Sequence, residues 1–401
     1  MTTRVLLLLA VIGVVAGTVA GSRALVFAVV AATLLVGLTL YARAHLFDRL
    51  GYERRLSHTV VPWGAEIELT TEVTNQKWLP VVWLSVVDAW PPAVEALNLT
   101  TRLAPALGGR VFDQTLFVRW YQRVRRHYRG RCSQRGVHTF GPVSMEASDP
   151  LGLGGVTSRD ETVQRVTVLP RVLHVAAADL LHGRPLVGVP TERSLARDPA
   201  SPAGVRAYSP GDPLRTVNWR ATARTGDLHT NVWEPTTLAE VRILLNAGTR
   251  ERIYQGVDPE VVELLCVTVA SCAAALVEAG FSVGLHSNAR LYRDWRRLEI
   301  EPGAGNLPEI LEALARVLVY PPPPFGNVLL RELDDDRVAC DYLVVTPALY
   351  DDVPALLARL GERHPVRTIL VGGALADLAG LIDARVPGDF DWRKNGDLAL
   401  A

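Results

Sequence analysis

Two uninterrupted apolar runs open the chain: VLLLLAVIGVVAGTVA over 5–20 and ALVFAVVAATLLVGLTLYA over 24–42, parted by a GSR break. The second has about the length that a helix needs to cross a bilayer. The first is slightly short and would span with local thinning, or with Arg4 snorkelling to the headgroups. Together they predict a transmembrane helical hairpin over 1–44. A cleaved signal peptide is the alternative, disfavoured because a second apolar run follows at once.

From 52 to 170 the pattern changes to short alternating runs such as AEIELTTEVTN (65–75) and VVWLSVVDAWP (81–91), punctuated by Gly and Pro. Alternation of this kind predicts half-buried antiparallel strands, and the run of them a small β-sandwich-like domain. After a linker over 171–235, strand-like and helix-like segments alternate across 236–390. VRILLN, FSVGLHS, DYLVVTP and VRTILVGG read as strands, and LHTNVWEP before them as another. DPEVVELLCVTVASCAAALVEAG (258–280) reads as a long helix with Asp258 as N-cap and Pro259 at its first position. GNLPEILEALARVL and VPALLARLGERH read as two more, and PPPP at 321–324 as a stiff connector. The fold class is α+β multidomain, ending in an α/β domain with a mainly parallel sheet. Ligands bind such sheets at the carboxyl ends of the strands, here the loops after Leu245, His286, Val345 and Val371.

Charge adds direction to this plan. Arg4 precedes the hairpin and Arg43, Arg49, Arg54 and Arg55 follow it, against Arg23 alone in the turn. The positive-inside rule then puts both ends, and the soluble domains, on the cytoplasmic side of the cell membrane. The net charge of +0 gives no general attraction to nucleic acid, and lysine occurs only at Lys77 and Lys394. None of the four cysteines, Cys132, Cys266, Cys272 and Cys340, forms a C-x-x-C pair, so neither a disulfide framework nor a zinc site is expected.

Two segments carry candidate chemistry. RWYQRVRRHYRGRCSQRG (119–136) interleaves arginines with Trp120, Tyr121 and Tyr128. An exposed strand pair with an Arg-rich face, contact with anionic lipid headgroups and nucleic-acid stacking are its three readings, in that order. AYSPGDPLRTVNWRATARTGDL (207–228) places a Pro210-Gly211 turn before Asp212, then Arg215, Trp219 and Arg224, and a second turn at Thr225-Gly226. The arginines could pair with Asp212, Asp227 or Glu234, and Trp219 could serve as a large apolar anchor. Ser209 has no evident activating base, so the segment reads as a structural joint or partner-docking surface before an active site.

The string Y-x-P-G-D-x-x-R-x-x-x-W-x-x-x-A-R-x-G-x-L, from Tyr208 through Gly226 to Leu228, resembles the domain-of-unknown-function 58 family. RGVHTFGPVSMEASDPLGL (135–153) and the double apolar run extend that resemblance over nearly the whole chain. It implies a C-terminal domain like the von Willebrand factor A domain, a Rossmann-type α/β fold. It also implies an AAA+ ATPase of the MoxR type as partner, with a transglutaminase-like membrane protein as a further one. Many such domains hold Mg²⁺ through D-x-S-x-S after the first strand, where one carboxylate and two hydroxyls suit a hard cation. Here the matching positions are Asn246, Gly248 and Arg250, with Thr249 out of register, and the later loop reads Thr346-Pro347. No metal and no cofactor are expected.

No Walker lysine, H-E-x-x-H or G-x-S-x-G occurs. The expectation is therefore a non-catalytic membrane-tethered adaptor, its partners the lipid bilayer and the ATPase, with no nucleic acid. An envelope-associated enzyme whose site is not evident, or a purely structural membrane protein, is the alternative.

Overall fold

The computed structural model describes residues 2–105, 109–148, 155–176, 180, 197–208, 217–235, 240–251, 253–335, 340–372, 380–398 and 400. The chain forms two compact units, Met1–Leu169 and Pro170–Ala401.

The first unit begins with two apolar helices, α1 (Thr2–Val19) and α2 (Arg23–Ala44). The chain reverses through Gly21 at φ 65, a conformation that glycine adopts without strain, and the Ser22 amide donates to Gly17 O. Gly13 permits close approach of the helices, since a Cβ there would lie 3.1 Å from the Val29 methyls. Residues Val26–Ala44 are long and apolar enough to cross a membrane. Pro259–Glu278 meets the same measure but is mostly buried inside the second unit, as a core helix would be.

Among the described residues twelve strands follow: β1 (Leu50–Leu56), β2 (Val60–Val61), β3 (Glu66–Asn75), β4 (Val81–Trp90), β5 (Val94–Ala96), β6 (Arg102–Ala104), β7 (Gly109–Val118), β8 (Arg123–Cys132), β9 (Gly136–Phe140), β10 (Val143–Ser148), β11 (Gly155–Asp160) and β12 (Gln164–Val168). They pair as β1-β3-β8-β5, β11-β10-β4-β7-β6 and β2-β12-β9. Alternate residues of facing strands meet in two clusters, one around Leu46, Val86 and Leu116, the other around Trp90, Phe112 and Phe140. One buried ionic group lies among them. Arg54 Nη1 and Tyr52 Oη donate to the two oxygens of the fully buried Asp88, each at 2.6 Å. Burial pushes the Asp88 carboxyl up to about 6, against the opposing pull of Arg54 and Tyr52.

The Arg-rich segment is β8, and its neighbour β3 answers its charge. Glu66 faces Arg131, Glu68 faces Arg129 and Glu72 faces Arg125 in register. Glu72 accepts from Arg123 at 2.9 Å and from Arg125 at 2.5 Å, Glu66 pairs with Arg131 at 3.3 Å, and Glu68 pairs with His127. The outer face of this strand pair is thus a ladder of mixed charge rather than a polycation.

In the second unit β13 (Arg197–Ala207) pairs with β14 (His229–Pro235), and a short helix, α3 (Trp219–Thr225), lies between them. A six-stranded sheet follows, in the order β17-β16-β15-β18-β19-β20. Its strands are β15 (Glu240–Leu245), β16 (Ser282–Ser287), β17 (Leu298–Gly303), β18 (Cys340–Thr346), β19 (Val366–Val371) and β20 (Ala384–Val386). All pairings are parallel except the hairpin of β16 with β17.

Among the described residues four helices accompany the sheet: α4 (Pro259–Glu278), α5 (Leu307–Ala315), α6 (Gly326–Asp334) and α7 (Val353–Arg363). The α4 helix is capped as its sequence predicts, with Asp258 Oδ1 accepting from the Glu260 amide at 3.1 Å and Pro259 in the first turn. Helices α6 and α7 pack on Leu244, Tyr342 and Val344. The α6 helix was not legible in GNVLLRELD, because its N-cap, Phe325, makes no side-chain bond, and Gly326 and Asn327, residue types suited to a cap, lie inside the first turn instead.

Under α6 lies the second buried ionic group. Arg242, in the middle of β15 and 2% exposed, donates to Glu332 and also meets Glu301 at 2.9 Å. His286 Nδ1 lies 2.6 Å from the other oxygen of Glu332.

Candidate functional site

Strands β15, β16 and β18 end side by side, and their next residues close a hydrogen-bonded knot. Asn246 Nδ2 donates to Thr346 Oγ1 at 3.0 Å, while its Oδ1 accepts from the Gly248 amide at 2.9 Å and from Asn288 Nδ2 at 3.2 Å. Asn288 Oδ1 accepts from the Ala247 amide at 2.9 Å, and Thr346 Oγ1 donates to Ala348 O at 2.6 Å. Thr249 turns outward from this knot and accepts from the Asp258 amide at 2.8 Å, at the start of α4. Arg250 is exposed and lies 3.7 Å from Asp258. Above the knot opens a cleft of about 450 Å³, walled by Tyr254, Pro322, Phe325, Tyr350 and Asp352. Three of the four loops expected to matter, after Leu245, His286 and Val345, therefore converge. The fourth, after Val371, runs into 373–379, outside the described residues.

This donor set does not fit a hard divalent cation. Such an ion wants carboxylate and hydroxyl oxygens with spare lone pairs. Asn246 offers an amide oxygen already accepting twice, and Thr346 a hydroxyl already accepting and donating. Among the described residues no three His, Cys, Asp or Glu side chains come together to hold a metal. Nor are the thiols poised as nucleophiles, which react as thiolates. Burial pushes Cys132 up to about 11 and Cys272 and Cys340 up to about 12.

A second cleft, of about 390 Å³, shares Asn288, Pro323 and Pro324 with the first and is of opposite character. Arg290, Arg296, Arg297 and Arg331 line it, together with Trp295, whose ring is 84% exposed. Arg331 meets Glu299 at 3.4 Å. Among the described residues the other three have no carboxylate within ion-pair distance. Arg290 instead stacks over Trp295 at 5.5 Å and over Tyr320 at 5.8 Å. Arg290, Trp295, Arg296 and Arg297 stand together in ARLYRDWRR (289–297), a run the sequence reading passed over, and Arg331 joins them from α6.

The segment 207–228 is only partly described: Ser209, Pro210, Gly211, Asp212 and Arg215 lie outside the described residues. What remains is a tight local unit. The Tyr208 amide donates to Leu228 O and the Asn218 amide to His229 O, both at 2.8 Å. Asn218 Oδ1 caps α3 by accepting from the Ala221 amide at 3.0 Å, and Gly226 ends the helix at φ 82. The turn read at Thr225-Gly226 is thus a helix end. Trp219, read as an apolar anchor, is instead 67% exposed, because the cap sets it at the first position of a helix that buries none of its residues. Arg224 is exposed on the same helix. Gly226→Ala should cost about 1–2 kcal/mol locally, seen as faster amide exchange over 219–226. No atom lies within 4 Å of the added Cβ, so the cost is conformational alone.

Comparisons with known proteins bear on this same region. A family model described as protein of unknown function DUF58 matches residues 204–374. The chain is 25% identical over 317 residues to the uncharacterised protein YeaD of Bacillus subtilis (strain 168), covering 78% of this chain and 74% of that one. Among solved structures it is similar to a CARDB domain from Pyrococcus furiosus, at 12% identity over 30% of this chain and 96% of that chain, with a TM-score of 0.21. A cohesin module from a Clostridium perfringens family 33 glycoside hydrolase gives 10% identity over 30% of this chain and 96% of that chain, with a TM-score of 0.21. TM-scores this low carry no argument about the chain. The capped helix and both clefts fall inside the segment that matches the DUF58 family.

Proposed function

We propose that the protein is a non-catalytic adaptor, tethered to the cell membrane by α1 and α2, that binds a cytoplasmic partner through the carboxyl edge of its parallel sheet. In this reading the second unit is a von Willebrand factor A-like domain that works without a metal, and both termini lie in the cytoplasm. The partner is an AAA+ ATPase of the MoxR type.

The observation that carries the reading is the pairing of the two clefts. At the floor of one, Asn246, Asn288 and Thr346 satisfy one another's polar groups. The other sets an exposed Trp295 among four arginines. Tryptophan and arginine are the side chains that most often dominate protein interfaces. Among the described residues three of these arginines have no acidic partner, so the cleft suits an acidic segment of a partner.

The test is extraction of the tagged chain in mild detergent, with mass spectrometry of what co-purifies in the presence and absence of ATP. An Arg296→Glu, Arg297→Glu variant should recover about tenfold less ATPase or lower, equivalent to about 1.4 kcal/mol or more. Equal recovery from parent and variant would remove the arginine cleft from the docking surface. No ATPase with either would remove the adaptor reading.

A further inference from the structure

The end of the sandwich nearest α2 carries an unusual group of exposed aromatic side chains. Three segments meet there. Lys77, in the β3–β4 loop, is buried and sends its ammonium back to the end of α2, donating to His45 O at 2.7 Å and to Leu46 O. Asn75 Nδ2 donates to Leu79 O and to Arg119 O, each at 2.9 Å, which ties the β3–β4 loop to the β7–β8 turn. The Tyr121 amide donates to Lys77 O at 3.2 Å. On one face of the last turns of α2 Thr39 and Ala42 are buried, as is Leu46 just past its end.

Each of these segments exposes rings. Trp78 is 57% exposed, Trp120 61% and Tyr121 70%. Val82, Trp83 and Phe117 extend the apolar surface onto the adjoining ends of β4 and β7, where Val81 pairs with Val118. The position of this surface along α2 is fixed by one contact: Trp78 stacks on Tyr41, with ring centroids 6.5 Å apart. Tyr41 lies within the apolar window Val26–Ala44, just before its end. Trp78 therefore sits beside the helix at the level where the apolar run stops and Arg43 begins the polar flank.

We propose that this end of the sandwich is a membrane-seated surface. Its tryptophans and tyrosine occupy the interfacial zone of the same bilayer that α2 crosses. The proposal rests on α2 being a membrane span. Trp and Tyr rings concentrate at this depth because an apolar body and a polar N–H or O–H are both satisfied there. The surface is continuous with the span through the Tyr41–Trp78 stack, which selects the bilayer over a protein as its occupant.

The test uses the full chain in vesicles of phosphatidylcholine and phosphatidylglycerol. The four native cysteines are buried, so one added cysteine can carry an environment-sensitive fluorophore. Three variants are labelled separately: Trp120→Cys at the tip, Leu34→Cys inside α2, and Leu103→Cys, exposed on β6 beside the opposite end of β7. Lipids bearing a quencher at the headgroup or in mid-chain are then added. Headgroup quenchers should dim the Trp120→Cys label at least about twofold more than the Leu103→Cys label, and mid-chain quenchers should dim the Leu34→Cys label. If the Leu34→Cys label is quenched but the Trp120→Cys label matches Leu103→Cys, the tip stands clear of the bilayer and the proposal fails while the span stands. If Leu34→Cys is not quenched either, the span and the proposal fall together.

Discussion

Glu332→Ala is expected to destabilise the second unit by about 3–5 kcal/mol. The loss comes less from a missing bond than from what is left behind. Arg242 stays 2% exposed in the middle of β15, and its nearest remaining acids, Glu301 at 2.9 Å and Asp335 at 3.3 Å, are more exposed and better solvated. His286 loses its 2.6 Å partner as well. Amide exchange in β15 and β18 reads this out without needing the whole chain to unfold as one. An Arg242→Met, Glu332→Leu pair should recover part of the loss, since apolar replacement removes both buried charges together.

The same residue gives a pH dependence of definite sign. Burial pushes the Glu332 carboxyl up, but hydrogen bonds and charge from His286 and Arg242 outweigh it and hold the group below the ordinary range. Its stabilisation is then complete above the unfolded value, near about 4.3, and is lost as pH falls through the folded one. Protection of β15 should fall on acidification in the parent and stay flatter in Glu332→Gln.

Asp88 should behave in the opposite sense. Its folded value, about 6, lies above the ordinary carboxylate range, so the folded sandwich binds a proton more tightly than the unfolded chain does. That contribution is full below about pH 4 and is lost as pH rises through about 6, on the order of 3 kcal/mol in all. Comparing parent with Asp88→Asn across that interval isolates it: the parent should lose stability relative to the variant as pH rises. Asp88→Ala is harsher. It strips both Arg54 and Tyr52 of their shared acceptor in the core and should cost about 3–5 kcal/mol at neutral pH. Equal exchange protection of β4 in parent and variant would show that Arg54 finds a replacement, with Thr162 O already one of its acceptors.

Periodicity made the strand and helix plan readable where each element buries one face of its own. The β3 and β4 strands and the capped α4 helix follow directly from alternation and from the Asp258-Pro259 start. It failed where position depends on partners far along the chain. Both buried ionic groups were passed over, although each left a mark: a charged residue inside an otherwise apolar strand, Arg242 in VRILL and Asp88 in VVWLSVVDAW. Such a residue is tolerable only if the fold supplies a counterion, and the counterions, Glu332 and Arg54, lie 90 and 34 positions away. The Arg-rich segment was read first as an exposed strand pair, which β3 and β8 form; the glutamates that neutralise it could not be placed, since they sit on the neighbouring strand. The arginine cleft left a mark as well, the run ARLYRDWRR (289–297), which was not singled out; only Arg331 comes from a distant element.

Only residues 45–49 separate α2 from β1, and they are not slack. Leu46 is buried in the sandwich core and Lys77 grips the carbonyls beside it. With no loose link between them, helix and sandwich turn together, as a shaft and the arm fixed to it. Membrane helices meet a change in bilayer thickness by changing their tilt. If α2 spans a bilayer as proposed, a few degrees of its tilt would swing the whole sandwich, and membrane thickness would become a mechanical input to everything the sandwich touches.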